Sequence, residues 1–176
     1  VMKTDFAVIL HKKLNLDGMV SIGDWRWAST EDIVIYSDTI SFDARGVHVG
    51  DAAQSTYAAS LRYAFVKNGY IKLKYTFFDR YYSDFNPNSL SGETSGKDSW
   101  RIPSYGLLSI HAGYTVRFEK SQLRFKANIF NALNSLYISD ARNNYHLDGS
   151  SDFDANSATV FIGQGLRFNV SIGFQF

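Results

Sequence analysis

Apolar and polar residues alternate one by one over much of the chain. Near the carboxy end Leu166, Phe168, Val170, Ile172, Phe174 and Phe176 share one parity, against Arg167, Asn169, Ser171, Gly173 and Gln175. Successive side chains of an extended backbone point to opposite sides, so this pattern predicts a strand with one apolar and one polar face. Val160 and Ile162 carry the apolar parity upstream, so that the closing stretch reads as one element. The same alternation predicts strands around residues 123–129, 110–118, 71–77, 57–65 and 14–22, with a shorter one at Phe6, Val8 and Leu10. About seven strands result.

The connections between them alternate in length. Short links fall near Lys12-Lys13, 66–69 and 118–121, and long polar links at 29–51, 84–102 and 138–157. Tight turns at one rim and long loops at the other are the rhythm of an up-and-down antiparallel outer-membrane barrel. Several strands exceed the five or six residues usual in soluble sheets and reach the roughly 9 to 11 that a tilted strand needs to cross the hydrocarbon layer. Their apolar parity lacks ionisable residues through the middle. Aromatics recur near the ends, at Phe65, Tyr70, Phe118, Phe174, Phe176 and Trp25/Trp27, which suits interfacial girdles. A soluble sandwich or lipocalin-like barrel would show the same alternation, with the apolar parity turned into a packed core.

Charge separates these readings. The polar parity carries Arg62, Lys72, Lys74, Arg117, Arg124, Lys126 and Arg167 with no acid among them. Twelve of the 17 acids lie in the three long links beside only four basic residues, a net −8; the remaining 14 basic and five acidic residues leave +9 for strands and turns. A one-signed wall around an enclosed space focuses potential, so this face is expected to meet an acidic protein element inside a barrel or to favour anionic solutes. The net charge of +1 over the whole chain offers no long basic field for nucleic acid. With no Cys, disulfide frameworks, thiolate metal sites and cysteine nucleophiles are excluded. No apolar run is long enough for a transmembrane helix, and the amino end does not read as an export signal.

Chemical motifs are few, and no enzymatic activity is expected. His11, His48, His111 and His146 are scattered without metal-ligand spacing. Gly163-Gln164-Gly165 lacks a third glycine and a following helix, so it reads as a strand feature. Asp152-Phe153-Asp154-Ala155-Asn156 opens like a calcium loop, yet Ser157 and Gly163 stand where a glycine and a bidentate Glu are needed. Asn169-Val170-Ser171 is a glycosylation sequon inside a strand. No catalytic, cofactor-binding or metal-ligating residue is assigned, no cofactor is expected, and the substrate-binding residues stay unassigned. Trp25, Trp27, Tyr36, Phe85, Trp100, Tyr145 and Phe153 lie in or beside the long links, where they would form part of an external mouth.

Every backbone group at membrane depth must be paired, and an odd number of strands near seven does not close on itself. The chain is therefore expected to be the carboxy-terminal part, over residues 1–176, of a larger barrel. Two segments sharpen this. Asn128-Ile129-Phe130-Asn131-Ala132-Leu133-Asn134-Ser135-Leu136-Tyr137 and Ile172-Gly173-Phe174-Gln175-Phe176 resemble the penultimate-strand segment and the terminal strand of TonB-dependent receptors of the Bacteroidetes type. Trp100-Arg101-Ile102-Pro103-Ser104-Tyr105, Gly50-Asp51-Ala52-Ala53-Gln54 and Gly23-Asp24-Trp25-Arg26-Trp27 resemble further recurrent segments, so the likeness covers roughly residues 15 to 176. The resemblance implies an all-β, 22-stranded barrel in the Gram-negative outer membrane, with outer-membrane lipid around it and a plug in its lumen. It also implies energy-coupled uptake of a large or scarce solute, such as a siderophore or glycan, through the TonB complex, with a surface lipoprotein as a further partner. Plug and TonB box are not in these 176 residues, so the chain would be a wall segment. The alternatives are a small independent outer-membrane barrel with a structural or adhesive role, and a soluble lipocalin-like binder.

Overall fold

The structure is a computed structural model of the chain and describes residues 1–35, 38–86, 89–90, 95–143 and 153–176. It is all-β: β1 (Met2–His11), β2 (Leu14–Ile22), β3 (Thr30–Ile35), β4 (Asp38–Asp43), β5 (Ala53–Val66), β6 (Gly69–Tyr82), β7 (Asp84–Phe85), β8 (Arg101–Ile102), β9 (Tyr105–Arg117), β10 (Gln122–Phe130), β11 (Ile138–Asn143), β12 (Ala158–Ile162) and β13 (Arg167–Gln175). Seven long strands form one antiparallel sheet in the order β1-β2-β5-β6-β9-β10-β13, with β8 paired to the end of β6. Among these seven, each strand pairs with the one that precedes or follows it along the chain, as the alternation of short and long links requires of a meander.

The register turns the period-two pattern into continuous rows. Val8, Leu16, Leu61, Leu73, Ile110, Ile129 and Phe168 stand opposite one another across all seven strands. Register is set here by the side-chain period, since a slip of one residue would move a whole strand's apolar set to the other face. Three rings lie over glycines on neighbouring strands. A Cβ at Gly18 would fall 2.1 Å from the Phe6 ring, one at Gly113 2.5 Å from Tyr70, and one at Gly106 within the Tyr75 side chain. Each ring lies across the strand that lacks a side chain there, filling the hollow and shielding the backbone.

No element among the described residues covers the apolar face. Leu61, Leu73 and Phe168 keep 37, 41 and 73% of their surface. The buried hydrophobics Ala44, Val47, Phe85, Leu90, Ile102 and Ala141 all lie at the long-connection end. A packed core under the sheet, which a soluble sandwich or lipocalin-like barrel places on this parity, is thus missing from the described chain.

The tight turns are staggered. Ala64 N–H donates to Lys13 C=O at 2.8 Å and Thr115 N–H to Asn68 C=O at 3.0 Å, whereas the following turns lie three residues further, from Ala64 to Lys67 and from Thr115 to Phe118. Three residues of strand are about 10 Å and two strand spacings also about 10 Å, so the line joining the turns crosses the strands at about 45°.

Two sequence readings are corrected. The long links are not plain loops: β3 and β4 pair as a hairpin, and β12, β11 and β7 form a three-stranded sheet. The closing stretch is not one strand. β12 pairs with β11, β13 pairs with β10, and Gly163-Gln164-Gly165-Leu166 lies between them. There Gly163 N–H donates to Tyr137 C=O at 2.8 Å and Leu166 N–H to Asn134 Oδ1 at 2.9 Å, so this backbone is held by the 131–137 segment and leaves the ladder. The Gly163–Gly165 segment is therefore a break between strands and not a strand feature.

Candidate functional site: the polar wall and the long-connection end

The polar parity forms its own rows. Asn15, Arg62, Lys72, His111, Asn128 and Asn169 stand in register, with Asp17, Ser60, Lys74 and Ser109 one row away. Side chains join across the strands. Asn128 Nδ2 donates to Asn169 Oδ1 at 2.7 Å, and His111 Nδ1 lies 2.7 Å from Asn128 Oδ1. Arg62 sits 4.3 Å over the Tyr70 ring, and Arg124 donates to Gln175 Oε1 at 2.5 Å. Such cross-strand pairs are the local unit of sheet stability, a few tenths to about 1 kcal/mol each.

The expectation of a one-signed wall needs correction. Asp17 stands on this face, accepts from Ser60 Oγ at 3.1 Å and lies 3.6 Å from Lys72 Nζ; Asp5 pairs with Lys3 at 3.5 Å. Arg167 donates to Gln164 and lies 5.2 Å from the Phe130 ring centre. Asp5 and Asp17 offset charge at the β1–β2 side, and among the described residues Lys72 is the one cation of the wall's seven that makes an ion pair, leaving Arg62, Lys74, Arg117, Arg124, Lys126 and Arg167 without one.

The long-connection end is built by buried polar hubs. Asn143 is fully buried and uses its whole amide: Oδ1 accepts from Ser83 Oγ and from Trp100 N–H at 3.0 Å, and Nδ2 donates to Asp154 C=O and to Ser157 Oγ, both at 2.9 Å. Gln54 acts as a ladder rung, accepting from Trp25 N–H at 2.7 Å and donating to Trp25 C=O at 2.9 Å. Arg80, at φ 50°, donates to Ser55 Oγ at 2.9 Å and to Gly23 C=O at 2.6 Å. His48 is buried and stacked 4.0 Å over Tyr82, with Nε2 3.1 Å from Asp24 and Nδ1 2.9 Å from Asp98, so one ring pins the β2–β5 and β6–β9 connections to the end of β6.

The electrostatics follow. Desolvation pushes the Asp24 carboxyl up, but hydrogen bonding and charge from Arg26, with His48, outweigh it and leave the group below the usual carboxylate range. Asp43 is held far below that range by the Arg45 guanidinium, which donates Nε to Oδ1 at 2.9 Å and Nη2 to Oδ2 at 2.8 Å. Asp51 is displaced upward by desolvation and then by the nearby carboxylates of Asp84 and Asp140.

The 128–137 segment gains a physical account. Asn131 and Asn134 adopt left-handed backbone, at φ 47° and 50°, which Asn tolerates. Asn131 Nδ2 donates to Ser135 C=O at 2.9 Å and to Gln164 C=O at 3.2 Å, and its Oδ1 accepts from Ser135 N–H at 2.9 Å. Tyr137 lies over Gly163 and stacks 4.5 Å from Tyr105. The segment staples the exit of β10 to the entry of β13.

The aromatics expected at the mouth divide. Phe85 is in the buried core, and Phe153, half-buried, packs against it. Trp27 is exposed, while Trp25 and Trp100 are tied through their backbone to Gln54 and Asn143. Tyr36, Tyr145, His146 and the first residue of the calcium-like stretch, Asp152, lie outside the described residues. In that stretch Asp154 Oδ1 accepts from Asn156 N–H at 2.8 Å and Ser157 N–H at 3.1 Å, a turn-forming role. No group of three His, Asp or Glu suited to a metal ion occurs among the described residues. Sequence reasoning missed Gln54, His48, Arg80 and Asn143; their partners lie 11 to 60 residues away, and no spacing rule marks them. Comparison with protein-family models, with curated proteins and with solved structures found no match.

Proposed function

We propose that this chain is a wall segment of an outer-membrane β-barrel, with its apolar rows against acyl chains and its polar rows facing a lumen. The observation that carries the reading is the seven-strand meander whose apolar face stays uncovered while the core sits at one end. The stagger of the turns supports it. If the three turns lie at one membrane level, the strands lean by about 45°, the tilt of transmembrane barrels. The edges support it too. Among the described residues strands β1 and β13 are each paired on one side only, and at membrane depth such edges must meet further strands.

The parent assembly proposed is the one the sequence resembles, a TonB-dependent receptor of the Gram-negative outer membrane. Its plug and the TonB complex would drive uptake of a large or scarce solute, and a surface lipoprotein could cover the long-connection end. No catalytic step is assigned to this chain.

These 176 residues contain no Cys, so they add no background to a labelling test once any cysteine elsewhere in the full-length protein is replaced. Single cysteines at 71 to 76, placed in the full-length protein in lipid vesicles, are expected to alternate. Probes at 71, 73 and 75 should be quenched by lipid-borne quenchers, and those at 72, 74 and 76 by aqueous ones. Protection of the odd positions from both quenchers, or water access at all six, would overturn the barrel reading.

A further inference from the structure

We propose that the tight-turn rim is a binding surface for anionic phospholipid headgroups, an inference that rests on the barrel reading. Lys12 and Lys13 form the first turn, Lys67 lies in the second, and Arg117 and Lys120 flank and enter the third. All five are exposed and none has an ion pair among the described residues. The single acid in these turns is Glu119. Successive turns lie two strands apart and three residues further along, so the cations form an oblique row about 28 Å long at the tight-turn end of the sheet.

The order of chemistry along the strands matches one leaflet. Beside the cations stand the exposed aromatics Phe65, Tyr114 and Phe118, and beyond them the aliphatic rows. Phosphate, interface and acyl chain come in that sequence, and juxtamembrane Lys and Arg gain from a negatively charged lipid surface. An open recess of about 340 Å³ between the third turn and Phe176 brings Arg117, Lys120, Phe118 and Gln175 together. It offers charge, a hydrogen-bonding amide and an apolar wall to one headgroup. A folded acidic partner fits less well, because the row is a line of hydrated side chains without groove walls along most of its length.

The test uses the full-length protein in phosphatidylcholine vesicles with and without phosphatidylglycerol, with retained lipid identified by native mass spectrometry after detergent extraction. The parent is expected to retain phosphatidylglycerol over phosphatidylcholine by about tenfold or more at low salt, less at high salt. Joint substitution Lys12→Gln, Lys13→Gln, Lys67→Gln and Lys120→Gln should bring the ratio close to unity, while the four Lys→Arg changes keep it. Unchanged heat-modifiable gel mobility in the Gln variant shows that the barrel has formed. Equal retention of both lipids by the parent, or an undiminished preference in a folded Gln variant, overturns the proposal. Displacement by excess inorganic phosphate also overturns it, by assigning the rim to soluble anions. Insertion without lipid preference removes this inference alone, whereas failure to enter either vesicle removes the barrel reading and this inference together.

Discussion

At the long-connection end, Arg26, Arg45, Arg101 and His48 each face a carboxylate; at the tight-turn end, Lys12, Lys13, Lys67, Arg117 and Lys120 face none among the described residues. The first end also holds the buried hydrophobics and the saturated Asn143 and Gln54 hubs, while the second is turns and exposed rings. The two ends solve different problems. Connections of about twenty residues lose much conformational entropy on ordering and need a local core and satisfied polar groups to offset it. Turns of two to four residues inherit their order from the strands they join, and their side chains stay available to a partner outside the chain.

Removing a hub should have the largest effect on this contrast. Asn143→Leu removes the acceptor of the Trp100 N–H and of the Ser83 hydroxyl, while the Asp154 carbonyl and the Ser157 hydroxyl keep each other. At about 1–3 kcal/mol for each buried group left unmade, a loss of about 4 kcal/mol is expected at the long-connection end. Hydrogen exchange should rise in residues 95–102 and 138–143 and stay unchanged in β9 and β10; equal loosening of both would erase the distinction between end and sheet.

Next in size, Leu73→Lys puts a charge in the middle of the apolar rows. If lipid lies there, the cost is about 2–4 kcal/mol, read as a lower unfolding midpoint in vesicles. The companion Lys74→Leu, on the polar face, should change it little. A negligible effect of Leu73→Lys would mean that water reaches that face.

The smallest effect probes the repulsion at Asp51. Its carboxyl is displaced upward in the folded state, so the native protein binds a proton more readily than the unfolded chain. That contribution to stability is fully present below the ordinary value of 3.8 and is lost as the pH rises through the displaced one. Asp51→Asn, which keeps a residue tolerant of the φ of 63° found there, should therefore stabilise the protein at neutral pH by under about 1 kcal/mol and have no effect in acid. Stabilisation that persists unchanged at low pH would point to a cause other than charge.

The sheet was legible in the sequence because its signal is local and repeated. Strands of nine to fourteen residues show several cycles of a two-residue period, and even the weak Phe6, Val8, Leu10 pattern marks a ten-residue strand. The small strands were not legible. Asp84–Phe85 and Arg101–Ile102 are too short for any period to appear, and their pairing depends on partners distant in sequence. The break before Arg167 was hidden because Val160, Ile162, Leu166 and Phe168 keep one parity straight through it. In the polar wall, the cations were legible as a class, but the compensation by Asp17 depended on which strand lay beside which. The hubs fared worst, since Gln54 and Asn143 look like any other amides until folding brings Trp25, Ser83 and Trp100 against them.

The rings laid over Gly18, Gly106 and Gly113 bear on how this sheet can change over generations. Each ring and its glycine share a single volume, 2.1 Å apart at Phe6 and Gly18 by the measure of an added Cβ. A larger residue at the glycine evicts the ring, and a smaller residue at the ring bares the backbone. Drift at these positions is therefore expected in compensated pairs, leaving a covariation signature that links β1 to β2 and β6 to β9 independently of any ligand.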